Sequence, residues 1–252
     1  MKRLFLVFTL LCLSSGAVSA SATGATGAAV DVKAIVARAD LARGNIDGIL
    51  WTIDIQSTEN GRHQKRKIRI KNRGVNTLAV FLAPAKVRNR MLLMLDRNMW
   101  FIKPGLRKPV PISPRQKLMG GAANGDIAST NYARDYRAVL TGEEAVAGEM
   151  CYLLDLTAVN PKATYDRIRY WVSKSRSLGM KAEFYTVSGK LLKTARFKYE
   201  NRVETDGAVH AFMSRMTITD AVIKDNVTVM AYRDIQPRAI PDATFNLNLL
   251  VH

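Results

Sequence analysis

Few residues of this chain are of the types that carry out bond-making chemistry. His63, His210 and His252 stand far apart in unlike contexts, and none has the spacing of a metal-ligand pair. No G-x-S-x-G elbow and no phosphate-cradling G-x-x-x-x-G-K is present. The glycine-rich stretch Gly120 to Gly125 follows no strand pattern and reads as a turn. Glu143, Glu144 and Asp225 lie in turn-like surroundings, and Asp155 alternates out of an apolar strand; no spacing marks a catalytic carboxylate pair. These observations favour binding over catalysis, with neither cofactor nor metal expected.

Charge is the strongest chemical feature. Lys and Arg number 38 against 21 Asp and Glu, a net charge of +17. From Gly61 to Lys117 there are sixteen Lys or Arg and one acid, Asp96. Within that run Lys65, Lys67, Arg69, Lys71 and Arg73 are all odd-numbered, with Ile68 and Ile70 between them. Successive strand residues point to opposite faces, so this pattern predicts a strand with an apolar face inward and a cationic face outward. Such a stripe serves as a solvated face that blunts edge pairing, or as a contact for nucleic acid, an anionic membrane or an acidic partner.

The N-terminus bears on that choice. Lys2 and Arg3 precede an apolar run, Leu4 to Leu13, and small residues end at Val18-Ser19-Ala20. This is the pattern of a signal peptide cleaved near Ala20, and the run is about half of what a membrane span needs. Residues 21–30 read as a flexible leader. Export argues against nucleic acid as the partner and leaves a solvated face or a contact for an anionic membrane or an acidic partner. Cys151 is then the single cysteine of the mature chain, in the apolar run Met150 to Leu156, and reads as a buried hydrophobe.

The elements that position these residues are mostly strands. Asp31 to Arg43 reads as the one clear helix, with Asp31 as its cap, Gly44 as its stop, and Val32, Ile35, Val36, Ala39 and Leu41 near one face. The period then changes to two: Ile49, Trp51, Ile53 and Ile55 alternate with Leu50, Thr52 and Asp54, and Glu59-Asn60-Gly61 turns the chain into Lys65 to Arg73. Leu78 to Ala83, Met91 to Leu95 and Met99 to Lys103 are short strands, the first two apolar on both faces, so each must be covered twice. Residues 104–131 are rich in proline and glycine without alternation, which predicts a lid or binding loop. Seven further strands follow from Arg134 to Ile235, separated by turns at Thr141-Gly142, Asn160-Pro161, Leu178-Gly179, Ser188-Gly189 and Asp206-Gly207. About twelve strands in an antiparallel meander curl into a barrel-like sheet or split into a sandwich.

Particular residues carry a family resemblance. Asp96 to Pro104, with Trp100 and Phe101, is similar to a D-G-x-x-x-W-x-Y/F-x-P step, and the block Ser113 to Gly120, Gly125 to Ala128, Asn131-Tyr132, Ser188-Gly189-Lys190 and Thr217 to Asp220 matches as well. Through these the chain resembles the outer-membrane lipoprotein-sorting proteins, in a branch found beside inner-membrane exporters of the resistance-nodulation-division type. One departure is the run Gly121 to Gly125, inserted where many relatives go at once into an acidic and aromatic stretch. The resemblance implies a mostly β fold: an unclosed antiparallel barrel of about 11–12 strands with an N-terminal helix and a short-helix and loop lid, in one domain over 31–252. It implies a non-enzymatic periplasmic carrier for a lipid or acylated cargo, working as a monomer between an inner-membrane transporter and the outer membrane; the alternative is a sensor or adaptor binding a lipid and a protein without net transport. The expected apolar cavity is lined by Trp51, Ile53, Leu93, Trp100, Met119, Tyr132, Tyr170, Phe184 and Phe197. Arg73 is the match for a lid-controlling arginine at a strand end, although alternation places it on the outer face unless a bulge shifts it. Lys65, Lys67, Arg69 and Lys71 are the expected contacts to an anionic surface.

Overall fold

A computed structural model describes residues 30–128, 131–205 and 207–251. The signal peptide and leader expected over residues 1–29 lie outside the described residues. Helix α1 (Val32–Leu41) begins where expected: the Asp31 carboxylate accepts from the Ala34 N–H at 2.9 Å. Its buried face is Ile35, Val36, Ala39 and Asp40, and Leu41 is exposed. Asp40 stands four residues after Val36 and so shares its face, which displaces the expected Leu41.

The chain then runs β1 (Asp47–Glu59), β2 (Arg62–Arg73), β3 (Asn76–Ala83), β4 (Met91–Leu95), β5 (Asn98–Ile102) and β6 (Val110–Ile112) as one antiparallel meander. Asn60 and Gly61 both have positive φ, 49° and 74°, the backbone that a tight hairpin between β1 and β2 requires. A second meander comprises β9 (Tyr136–Val146), β10 (Glu149–Ala158), β11 (Arg167–Ser173), β12 (Gly179–Tyr185), β13 (Leu191–Lys198), β16 (Arg215–Asp220) and β17 (Val227–Pro237). Pairing of β1 with β17 joins the two into one antiparallel sheet of 13 strands, whose terminal strands β6 and β9 do not pair. The fold is therefore a mostly β, unclosed barrel with few helices.

Three boundaries differ from the sequence expectation. Gly142 lies inside β9, where the register with β10 shifts, and the turn falls at Ala147-Gly148 instead; a glycine within a strand marks a bulge here. The long strand expected over Leu191 to Val203 is divided into β13 and β14 (Asn201–Thr205), and that over Val209 to Thr219 into β15 (Ala208–Phe212) and β16. The β14–β15 hairpin leaves the main sheet, and the Asn201 amide fastens its base by donating to the Met213 and Tyr232 carbonyls at 2.9 Å each. The expected strand start at Arg134 is instead a short helix, described below.

Alternation sorts the side chains. Ile49, Trp51, Ile53 and Ile55 of β1 and Ile68 and Ile70 of β2 face the concave side and are buried, while Lys65 and Arg69 are exposed on the convex side with Lys67, Lys71 and Arg73 partly covered. The strands with two apolar faces are covered on their convex side by the C-terminal segment. Ile240 and Phe245 pack on Leu78, Leu93 and Ile102, flanked by Val80, Met91, Leu247 and Leu250. Leu93 therefore lies on the convex face, and so does its cross-strand neighbour Trp100, half-buried; neither lines the concave interior expected for them. Arg73 is likewise convex: its guanidinium donates to the Ile240 carbonyl at 3.0 Å, pairs with Asp242 and lies 5.8 Å from the Phe245 ring centroid. It anchors the C-terminal segment and not the lid, because no bulge between Lys71 and Arg73 reverses the alternation. Replacing Phe245 with Ala should therefore lower stability by about 3 kcal/mol in urea denaturation and increase binding of an apolar dye, through exposure of Leu78, Leu93 and Ile102. An unchanged midpoint and dye signal would show that the segment does not seal this face.

Candidate functional site

The concave face is where the sequence places an apolar surface, and residues 113–128 and 131–135 occupy it. This lid contains the short pair β7 (Lys117–Met119) and β8 (Ala122–Ala123), then α2 (Gly125–Ala128) and α3 (Tyr132–Asp135). Leu118, Met119, Ala122, Ile127 and Tyr132 of the lid join one buried cluster with Trp51, Ile53, Tyr170, Phe184 and Phe197 of the sheet. Seven of the nine residues expected around a cavity are thus brought together, but around the lid's own side chains instead of an open lipid-sized space. Seating is close at Gly120, which has φ +55°: a Cβ there would lie 2.3 Å from Thr228 Oγ1 and 2.6 Å from Ser57 Cβ.

A buried ion pair holds the lid from below. Lys193 on β13 points inward with Ala195 and Phe197, and its Nζ reaches Asp126 Oδ2 of α2 at 2.8 Å and the Gly121 carbonyl at 2.6 Å. The Asp126 carboxylate also accepts from the Tyr165 hydroxyl at 2.7 Å and from the Ala123 N–H at 2.8 Å. Lys193, Asp126, Tyr165 and Ala123 are all buried, which makes the pair's geometry decisive, since a buried charge without a partner is costly. At the lid's rim Arg66 of β2 donates to the Leu118 carbonyl at 2.5 Å, and Thr228 Oγ1 accepts from the Gly121 N–H at 2.8 Å. Arg66, not Arg73, is the β2 arginine that touches the lid. Its even number placed it on the inward face with Ile68 and Ile70, a signal legible in the sequence.

A second polar cluster lies where α1 meets α3. Asp40 is fully buried and accepts from the Ala133 N–H of α3 at 2.8 Å; Arg43, 1% exposed, has Nη1 3.9 Å from Asp40 Oδ1. The Arg43 guanidinium lies 4.0 Å from the Tyr132 ring centroid and 5.6 Å from that of Phe197, within an aromatic group in which Tyr132 and Tyr170 meet edge to face at 5.6 Å. Burial pushes the Asp40 carboxyl up to about 8, against the opposing effects of Arg43 and the α3 N–H groups; Asp135 adds to the rise. Both residues were missed from sequence, though spacing placed them: Asp40 follows Val36 by four residues and Arg43 follows Ala39 by four, on the face that packs inward. Cys151 is buried and its thiol is pushed up by burial, in accord with its reading as a small hydrophobe.

Beside the lid an open groove of about 360 Å³ remains on the concave side, lined by Phe81, Leu92, Phe101, Ile112 and Leu118, with Arg66 and Arg90 at its margin. Among the described residues no His, Cys, Asp or Glu group is arranged to hold a metal ion.

The Asp40 environment sets a pH dependence. Its folded-state pKa lies far above the roughly 3.9 of an unfolded aspartate, so the folded protein holds a proton that the unfolded chain releases. Stability should fall as pH rises from about 4 to about 8, by at most about 1.4 kcal/mol per unit from this group, and level off above that. Asp40→Asn should flatten this slope and raise the midpoint near pH 8, as measured by denaturation across pH. A slope that Asp40→Asn leaves intact would assign the pH response to other groups.

Comparison with known proteins bears on this arrangement. A family model whose description reads "Uncharacterized protein" matches residues 73–252. No curated protein is significantly similar. The crystal structure of a LolA superfamily protein from Nitrosomonas europaea superposes with a TM-score of 0.78 at 33% sequence identity, covering 86% of this chain and 98% of that one. A putative outer membrane lipoprotein-sorting protein domain from Vibrio parahaemolyticus superposes at 0.74 with 20% identity, over 87% and 98% of the two chains, a likeness of fold. With identity of that order over nearly the whole of the Nitrosomonas protein, the chain belongs to the LolA superfamily.

Proposed function

We propose that this protein is a non-enzymatic periplasmic carrier or chaperone for a lipid or acylated cargo, exported by a signal peptide cleaved near Ala20. The observation that supports the reading is that apolar side chains of the lid fill the concave face, a surface that an acyl chain would cover as well. Each methylene moved from water into such a site contributes about 0.8 kcal/mol, so half a dozen give micromolar affinity before the cost of opening. The groove at Phe81, Leu92 and Phe101 offers a first foothold beside the closed lid. Cargo then displaces Met119, Ile127 and Tyr132, and the lid returns when the cargo leaves for the outer membrane. An inner-membrane transporter is the expected donor. The convex cations Lys65, Lys67, Arg69 and Lys71 support a docking step at an anionic membrane, facing away from the lid and unhindered by it.

Lid opening is testable through Lys193. Lys193→Met leaves the Asp126 carboxylate buried without its cation, which destabilises the closed lid by about 3–5 kcal/mol. Hydrogen exchange over residues 113–135 should accelerate while β1 and β17 stay protected, and a fluorescent acyl probe should bind about tenfold or more tighter, because less of the binding energy is spent on opening. Addition of Asp126→Asn should return exchange toward the parent. If acyl probe binds neither parent nor variant, and mass spectrometry of the purified protein recovers no lipid, the carrier reading fails.

The convex face has its own test. Each cation near an anionic surface contributes about 1 kcal/mol, screened beyond about 8 Å at physiological salt. Lys67→Glu with Arg69→Glu should weaken co-sedimentation with anionic vesicles by tenfold or more, on the order of two to four lost units of attraction, with little change in melting temperature. Salt-insensitive binding that the charge reversal leaves unchanged would reduce the stripe to a solvated face.

A further inference from the structure

Hydrogen-bond donors exceed acceptors at the end of the concave face beneath α3. Arg43 Nε and Nη1 and the hydroxyls of Tyr170, Tyr199 and Tyr232 are buried and find no partner among the described residues; Asp40 Oδ1 is the one carboxylate oxygen in the same condition. Burial pushes the three phenols upward, so each stays neutral and keeps a proton to donate. Arg43 is charged at any working pH. Its near neighbour Asp40 has Oδ1 3.9 Å from Nη1, beyond hydrogen-bond distance, and burial disfavours its charged form, so the guanidinium is only weakly compensated. Buried charges are ordinarily paired, and buried donors ordinarily have acceptors. Lys193 differs: there a carboxylate and a carbonyl both accept from the cation.

We infer that this cluster is an anion site beneath the lid, in which the Arg43 guanidinium and the hydroxyls of Tyr170, Tyr199 and Tyr232 receive the carboxylate of a single-chain amphiphile. The inference rests on the carrier reading and adds the head group that the carrier selects. A planar guanidinium matches a carboxylate through two parallel hydrogen bonds. The Tyr132 ring covers the guanidinium at 4.0 Å and every member of the cluster is buried, so the site suits a group that ends a chain. A phosphodiester, with a substituent on each side, does not fit that enclosure. The single charge of a carboxylate balances the single charge of Arg43. Withdrawal of α3 uncovers the guanidinium and exposes the apolar face of Phe197 and Ile53 at the same time, so head group and chain are received together.

The test compares palmitate, hexadecanol and hexadecyl phosphate, which share one chain, by displacement of a fluorescent acyl probe from the full protein near neutral pH. Palmitate should bind about ten- to a hundredfold more tightly than hexadecanol, the worth of a charge-assisted hydrogen-bond pair. Arg43→Met should abolish that preference and leave hexadecanol binding in place. Should Arg43→Met fail to fold, Tyr199→Phe and Tyr232→Phe keep the rings and remove only hydroxyls that lack partners; each should lower palmitate affinity about threefold or more without lowering the melting temperature. Equal binding of palmitate and hexadecanol by the parent overturns the anion site while the carrier reading stands. Tighter binding of hexadecyl phosphate than palmitate overturns the carboxylate assignment. Binding of none of the three removes the carrier reading itself.

Discussion

A sheet that curls without closing, with a concave face of Ile, Trp, Phe and Met, cannot leave that face to water. The lid and the buried polar groups around it answer to this constraint. The lid answers it by placing its own apolar residues inside, and in doing so it must bring backbone and polar groups into an apolar space. Lys193 and Asp126 resolve that difficulty: one inward lysine neutralises the one acid of α2 and also takes up the Gly121 carbonyl. Gly120 permits the approach because any side chain there would strike Thr228 and Ser57.

The two buried charged clusters behave differently for a physical reason. Asp126 has three partners within hydrogen-bond distance, so the seating of the lid is well defined and its breaking is costly. Arg43 has aromatic faces, which attract a cation without accepting its hydrogens, and a carboxyl that burial keeps neutral. The first cluster is satisfied within the protein; the second is satisfied only in part.

The convex face meets a separate need. The C-terminal segment covers the apolar outer side of β3 to β5, and Arg73 ties it down at Ile240 and Asp242. Lys65, Lys67, Arg69 and Lys71 of β2 are left free of that duty on the convex side, whereas Arg66 on the inward face donates to the lid at Leu118. The two faces are thus occupied separately, the concave one by the lid and the convex one by the C-terminal segment.

Much of this was legible in the sequence because it is local. A period of two fixes which residues of β1 and β2 face inward, so Trp51 and Ile53, the cationic stripe, and the placement of Arg73 on the outer face all followed from parity. The Asp31 cap and the Asn60-Gly61 turn are set by backbone preferences within a few residues. The resemblance at Trp100 and at the Met119-Gly120 block carried the unclosed barrel and its lid. Other features depend on which distant residues meet, and no local rule decides that. Leu93 and Trp100 are apolar enough for either face; only the path of the C-terminal segment made theirs the convex one. Lys193 and Asp126 lie 67 positions apart, and each alone reads as an ordinary surface charge until the sheet and the lid bring them together. Asp40 and Arg43 showed helical spacing with apolar neighbours, yet their burial depends on α3 and on strands more than a hundred residues away. Sequence determined the faces of each element, because side-chain direction is a property of the backbone at that residue; tertiary structure decided what each face meets, because burial is a property of the whole chain.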